Sequence, residues 1–189
     1  MNDAEQIDII SILKKTFYAF KEEDVRELRR LSDHITEDAS IFQDDYSISL
    51  AIILYTLSKI LEKEKYQNYK EWKSFYKNCL GLLDNLKKDL EKSNFDIYSK
   101  DLQELLSLIK DLDKKVPLYI EELLNSSRIK KGSNLYGYGL SLGRAAELLG
   151  ISKWELMGYV GNINLPYDSN EKITAKDRYN NSLRIFGVK

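Results

Sequence analysis

Cysteine and histidine are scarce in this chain, and each shortage argues against a class of functional site. Cys79 is the only cysteine among the 189 residues, so neither an internal disulfide nor a zinc site built from cysteines can form. A catalytic cysteine would need a nearby base, and the only histidine is His34. We therefore expect Cys79 to be a buried thiol. No P-loop, dinucleotide-binding glycine pattern or metal-ligand cluster is evident, and the sequence predicts no metal site and no cofactor.

An excess of charge of one sign and a long hydrophobic run are also missing. There are 29 basic and 30 acidic side chains, which argues against a protein that coats nucleic acid along its whole length. The most apolar window, residues 48–61, spans about 14 residues with serine, threonine and lysine among them, whereas a membrane span needs about 20. The first residues show no basic stretch followed by an apolar one, as a signal peptide would. We expect a cytoplasmic protein with no membrane partner.

Apolar residues recur with the 3.6-residue period of an α-helix along the first two thirds of the chain, and no alternating strand pattern interrupts them. One stripe places five apolar residues on a first helix: Ile7, Ile10, Leu13, Phe17 and Phe20. Asp24 is the expected N-cap of a second helix, and Pro117 suits the first turn of a sixth. The third to sixth helices are predicted at residues 48–63, 69–92, 95–112 and 116–129.

The third predicted helix is apolar nearly all round, which is typical of a central, buried element. Asp44, Asp45 and Ser47 each offer a cap for its first turn. Together the six helices predict an all-α protein whose N-terminal part is an up-and-down helical bundle.

The amino-acid composition changes at Lys130-Lys131-Gly132-Ser133-Asn134. Five glycines fall between residues 132 and 150, whereas Gly81 is the only one before them. Glycine and small polar residues usually mark loops between packed units. We therefore predict a domain boundary near residue 131, with a helical bundle at 1–131 and a helix-turn-helix module with a C-terminal tail at 132–189.

A tight corner between two short helices is predicted within residues 141–161, which read SLGRAAELLGISKWELMGYVG. Gly150 fits the position after the first helix, where a left-handed backbone favours a residue without a Cβ atom. Ser152 is the expected N-cap of the second helix, and Glu155, three residues later, completes a capping box.

Small and apolar residues of the same segment support this corner. Ile151 and Leu156 match the hydrophobic staple that flanks a capping box. Ala146 is the small residue expected where the two helices cross. The combination is typical of a helix-turn-helix unit, which serves either as a DNA reader or as a plain packing element.

The second helix carries the side chains for which we predict contact with DNA or a partner protein: Ser152, Lys153, Trp154, Met157 and Tyr159. Only Lys153 suits a strong base or phosphate contact, because arginine, asparagine and glutamine are absent from this face. Exposed Trp154 and Met157 suit a protein interface at least as well as DNA.

The segment 141–161, followed by Leu165-Pro166-Tyr167-Asp168, resembles a family of small prokaryotic proteins regarded as antitoxins that partner PIN-domain ribonucleases. The matching positions are Ser141, Leu142, Gly143, Ala145, Ala146, Glu147, Leu148, Gly150, Ser152, Trp154 and Glu155. Leu149 stands where that family has a small residue. The resemblance implies a non-enzymatic regulatory protein that binds a PIN-type nuclease and its own operator DNA, and it is compatible with a homo-oligomer.

Two alternatives stay open. The bundle loosely resembles helical domains of the HEPN type, some of which are ribonucleases with four to six residues between an arginine and a histidine. Arg29 and His34 have four residues between them, although a five-residue step places them about 140° apart on a helix. This alternative predicts catalytic roles for both residues. The other alternative is a structural module of a larger assembly.

Overall fold

The computed structural model describes residues 3–112 and 117–162, and all regular structure within these ranges is α-helical. The helices are α1 (Asp3–Lys21), α2 (Val25–Phe42), α3 (Asp45–Leu61), α4 (Glu64–Gln67), α5 (Trp72–Glu91), α6 (Phe95–Asp111), α7 (Pro117–Gly137), α8 (Leu142–Leu149) and α9 (Lys153–Asn162). The predicted all-α class is confirmed. Within the described part of the chain, no helix combines the length and the apolar character that crossing a lipid bilayer requires. The tail at 163–189, including Leu165-Pro166-Tyr167-Asp168, lies outside the described residues.

Aspartate caps start the second and third helices. The Asp24 carboxylate accepts a hydrogen bond from the backbone N–H of Glu27 at 3.0 Å, so the N-cap predicted for α2 is confirmed. The Asp44 carboxylate accepts hydrogen bonds from the N–H groups of Tyr46 and Ser47. Of the three candidate caps for α3, Asp44 therefore fills the position.

Contacts between helix ends show that α1 and α5 run antiparallel. The Gln6 side chain, near the start of α1, donates a hydrogen bond to the Leu90 carbonyl near the end of α5. The Tyr76 hydroxyl, near the start of α5, donates to the Lys21 carbonyl at the end of α1. This pairing is the one expected of an up-and-down bundle.

Helix α3 is the central element, as its apolar sequence predicts. It packs against α1, α2, α6 and α7. Its buried apolar side chains are Ile48, Leu50, Ala51, Ile52, Ile53, Leu54, Leu57, Ile60 and Leu61. Neighbouring helices cover most of its circumference, and one side, which includes Ser49 and Lys59, is only partly buried.

The stripe predicted on α1 is wrong at its first member. Ile7 is 69% exposed, whereas Ile9 and Ile12 are buried. Helix α1 packs against both α2 and α5, so its buried arc is wider than the predicted stripe and is centred on a different line. Leu13 and Phe20 are buried as predicted.

Pro117 lies in the first turn of α7 as predicted, but the predicted end at residue 129 is wrong because the helix continues to Gly137. The position of the predicted domain boundary, residue 131, therefore lies inside a helix. Lys131 and Ser133 are buried there. Helix α7 packs against α2 and α3 and also against α8 and α9, and these contacts outweigh the roughly 1 kcal/mol that a glycine in a helix interior costs.

Candidate functional site

Helix α8, which leads into the corner with α9, has a regular cap at each end. The Ser141 hydroxyl accepts a hydrogen bond from the N–H of Arg144 and caps the start of α8. At its end Gly150 adopts a left-handed backbone with φ 62° and ψ 33°. The N–H of Ile151 then donates back to the Ala146 carbonyl at 3.1 Å. The role predicted for Gly150 is confirmed.

The start of α9 is held by a reciprocal capping box. The Glu155 carboxylate accepts a hydrogen bond from the Ser152 N–H at 3.0 Å, and the Glu155 N–H donates to the Ser152 hydroxyl at 3.1 Å. The Ser152 side chain first, and then the Ser152 N–H, stabilise the carboxylate and hold the pKa of Glu155 below its ordinary value. The predicted pairing of Ser152 with Glu155 is confirmed.

Helices α8 and α9 rest on the middle of α7. A Cβ atom at Gly132 would lie 2.9 Å from the Cδ1 atoms of both Leu149 and Leu156, which is closer than carbon atoms approach. Leu149 and Leu156 are buried, as are Ala145 and Ala146 on α8. The absence of a side chain at Gly132 therefore leaves room for the two leucines. Leu149, large where the resembled family has a small residue, uses that room.

The outward face of α9 is exposed and partly apolar. Trp154 is 75% exposed and Met157 is 42% exposed, and their three-residue spacing places them on one side of the helix. Ser152 and Lys153 are exposed beside them, whereas Tyr159 is half-buried. The structure thus brings four of the five predicted binding residues to the surface.

The basic residue of α8 is engaged within the protein. The Arg144 guanidinium donates hydrogen bonds to the Glu147 carboxylate at 3.0 Å and to the Gln43 side-chain oxygen at 2.8 Å. Gln43 follows the end of α2, so Arg144 links the α8–α9 corner to the bundle. Lys153 is then the basic side chain that the start of α9 offers to an anionic partner.

Arg29 and His34 face different neighbours. The Arg29 guanidinium forms an ion pair with Glu62, just past the end of α3, at 2.6 Å. His34 Nε2 lies 3.5 Å from Asp8 Oδ2 on α1 and 3.6 Å from Asp38 Oδ2 on its own helix. The structure does not bring the two residues to one substrate position. Their divergence follows from the five-residue step along α2.

The surroundings of His34 form a negatively charged cavity between α1 and α2. The cavity measures about 260 Å³ and is lined by Glu5, Asp8, Ile9, His34, Asp38 and Phe42. Burial, together with the neighbouring Asp8 carboxylate, raises the pKa of Asp38 to about 6. The sequence predicted no metal-ligand cluster, yet three groups that bind metals meet here. The four-residue step from His34 to Asp38 was visible in the sequence, whereas the approach of Asp8 depends on the packing of α1 against α2.

Two parts of the described structure therefore have the side chains of a binding site: the exposed face of α9 and the cavity around His34. Comparison of the chain with models of known protein families, with curated proteins and with solved structures finds no match. The function is accordingly argued from the geometry and chemistry of these surfaces.

Proposed function

We propose that this protein is a non-enzymatic regulatory protein that binds a partner protein through the α9 face, defined as Lys153, Trp154 and Met157. The observation that carries the proposal is the 75% exposure of Trp154 beside the exposed Met157. Tryptophan and methionine are enriched in the buried cores of protein interfaces, and tryptophan is prominent among residues that dominate binding energy. A large apolar pair on a capped, well-seated helix can bind with little loss of conformational freedom.

The partner class comes from the resemblance of residues 141–161 to antitoxins. We infer a PIN-domain ribonuclease as the partner, which the α9 face would contact and inhibit in the cytoplasm. The bundle would then carry the face and enlarge the contact area, because an interface of ordinary stability buries roughly 800 Å² on each partner. The exposed Trp154 and Met157 provide the apolar centre of such an interface.

Operator DNA is a second candidate ligand of the same corner. It is favoured by the capped start of α9, which leaves Ser152 and Lys153 exposed at the helix N-terminus, where phosphates bind well. The charge of the corner favours a protein instead. Arg144 is paired with Glu147, and the Glu155 carboxylate lies at the start of α9, where it accepts a hydrogen bond from the Ser152 N–H.

Neutralisation of a toxin tests the partner proposal. The full chain would be co-expressed with the PIN-domain nuclease encoded beside its gene, and growth of the host would be measured. We expect the wild type to restore growth and the double variant Trp154→Ala, Met157→Ala to fail. Tyr138→Ala, which removes a 44% exposed aromatic ring from the turn after α7, is the matched control and should protect as the wild type does. The proposal is contradicted if no such nuclease is encoded there, if the wild type gives no protection, or if the double variant protects equally well.

Fluorescence anisotropy with a labelled duplex from the region upstream of the gene tests the DNA role. Binding at low salt that weakens with Lys153→Ala would support it. An unchanged anisotropy at low salt would remove DNA from the proposed function and would leave the protein partner unaffected.

The ribonuclease alternative has less support from the geometry. Arg29 meets Glu62 of α3, whereas His34 is flanked by Asp8 and Asp38, whose negative charges disfavour a phosphate group. RNA cleavage by the wild type that is lost in His34→Ala would revive this alternative. An inactive wild type, or undiminished cleavage by the variant, would exclude it.

A further inference from the structure

The cavity between α1 and α2 holds an imidazole nitrogen and two carboxylate oxygens at the spacing of metal ligands. His34 Nε2 lies 3.5 Å from Asp8 Oδ2 and 3.6 Å from Asp38 Oδ2, and the three atoms lie within 4.8 Å of one another. Ligands about 2.0–2.1 Å from a tetrahedral zinc ion are roughly 3.3–3.4 Å apart. The observed separations are close to those edges and are longer than an ordinary N–H···O hydrogen bond of about 2.7–3.2 Å.

Apart from His34 and each other, the same two carboxylate oxygens have no partner among the described residues. Asp8 Oδ2 and Asp38 Oδ2 are buried atoms, and neither accepts a hydrogen bond from a described residue. Buried polar atoms in folded proteins are nearly always paired, and an unpaired one costs about 1–3 kcal/mol. A cation between them and His34 Nε2 would satisfy both oxygens at once.

The cavity supplies space and negative charge for such a cation. Its volume of about 260 Å³ exceeds what a single ion needs and leaves room for water molecules in the remaining coordination positions. Glu5 also lines the cavity and is 3% exposed, so the described lining contains three carboxylates and no lysine or arginine.

We propose that Asp8, His34 and Asp38 bind a divalent first-row transition-metal ion, with Zn²⁺ as the best match. An imidazole nitrogen favours zinc and its transition-metal neighbours, whereas magnesium and calcium prefer sites made of oxygen alone. Three protein ligands leave a fourth position of the ion open to water or to a further ligand. The ion also joins α1 to α2, since Asp8 lies on one helix and the other two ligands on the other.

The site is separate from the α9 face and is tested separately. Metal-free full-length protein would be titrated with Zn²⁺ by isothermal titration calorimetry, and a parallel titration would use Mg²⁺. We expect one Zn²⁺ per chain and at least a tenfold weaker affinity for Mg²⁺. The variants His34→Ala and Asp38→Asn should each weaken Zn²⁺ binding at least tenfold. Glu37→Gln is the matched control, because it removes an exposed carboxylate next to Asp38 and should bind as the wild type does.

Two further measurements distinguish a loss of metal binding from a loss of folding. Far-UV circular dichroism of each variant without metal shows whether it folds, and Asp38→Asn preserves the size of the side chain. Zn²⁺ should raise the Tm of the wild type and of Glu37→Gln, and should leave the Tm of His34→Ala unchanged. The proposal is overturned if the wild type binds no Zn²⁺, if Mg²⁺ binds as tightly, or if folded His34→Ala and Asp38→Asn retain wild-type affinity.

Discussion

The α8–α9 corner and the middle of α7 both contain glycine among small polar residues, and they use it for opposite purposes. Gly150 has a left-handed backbone that ends a helix, whereas Gly132 lies inside a helix and makes room for two leucines. The corner is set by hydrogen bonds between residues close in sequence, such as Ser152 with Glu155. The middle of α7 is set by contacts with distant helices. The same residue types therefore act through local backbone conformation in the corner and through packing against distant helices in α7.

Lys131 shows how strongly the middle of α7 is tied to the bundle. Its side chain is 1% exposed, and its ammonium group donates a hydrogen bond to Asp33 on α2 at 2.8 Å. The ammonium also lies 5.0 Å from the centre of the Tyr55 ring on α3. Burial lowers the pKa of Lys131, and the contact with Asp33 opposes that shift. One side chain thus links three helices at the position where the sequence predicts a boundary.

Removal of the Lys131 side chain should have the largest effect on stability. Lys131→Ala leaves a cavity among α2, α3 and α7 and should lower the free energy of unfolding by about 3 kcal/mol. Lys131→Met fills the same space without charge and should stay within about 1 kcal/mol of the wild type. Urea unfolding followed by circular dichroism measures both. A loss below about 1 kcal/mol for Lys131→Ala would contradict the anchoring role.

Two helix-interior glycines provide the next comparison. Gly132→Ala should lower the free energy of unfolding by about 1–2 kcal/mol, because the new methyl group meets Leu149 and Leu156. Gly81→Ala on α5 has open space around its Cβ atom and should stabilise the protein by about 0.5–1 kcal/mol. Equal and favourable effects in urea unfolding would show that Gly132 is not a close-contact position.

Substitution of the corner glycine should reduce stability less than Gly132→Ala does, and its cost should come from backbone strain. Gly150→Ala places a Cβ atom on a left-handed backbone and should cost about 1 kcal/mol. Gly143→Ala, on the same helix with open space around it, should be neutral or slightly stabilising. Thermal unfolding of the two variants tests the difference, and a neutral Gly150→Ala would show that the turn does not depend on glycine.

In the capping box, the loss of the Ser152 hydroxyl should match the effect at Gly150, and the change at Glu155 should have the smallest effect of all. Ser152→Ala removes one hydrogen bond to the start of α9 and should cost about 1 kcal/mol. Glu155→Gln keeps an acceptor for the Ser152 N–H and loses only the charge near the helix start, so we expect a smaller loss of stability than for Ser152→Ala. Urea midpoints of the two variants should rank in this order. The reverse order would mean that charge, rather than the hydroxyl cap, holds α9.

Predictions from the sequence succeeded where the structure is set by neighbouring residues and failed where it is set by contacts with distant helices. Asp24, Gly150, Ser152 and Glu155 were assigned correctly because each role depends on neighbours within a few residues. The continuation of α7 beyond residue 129 was missed, since glycine, serine and asparagine are poor helix formers and only packing against other helices keeps them helical. The cluster at His34 was missed for a related reason, because Asp8 lies on another helix. Exposure of Trp154 and Met157 was expected from their places on α9, whereas the pairing of Arg144 with Gln43 required the fold.

The central claim is that the middle of α7 seats the α8–α9 pair on the bundle, so that the α9 face is presented by one cooperative unit. The two tryptophans of the chain allow a direct test, since Trp72 begins α5 in the bundle and Trp154 lies on α9. Protein labelled with 5-fluorotryptophan would be unfolded with urea while ¹⁹F NMR follows both folded signals in one sample. We predict the same midpoint for Trp72 and Trp154. Loss of the folded Trp154 signal at a clearly lower urea concentration than that of Trp72 would contradict the claim.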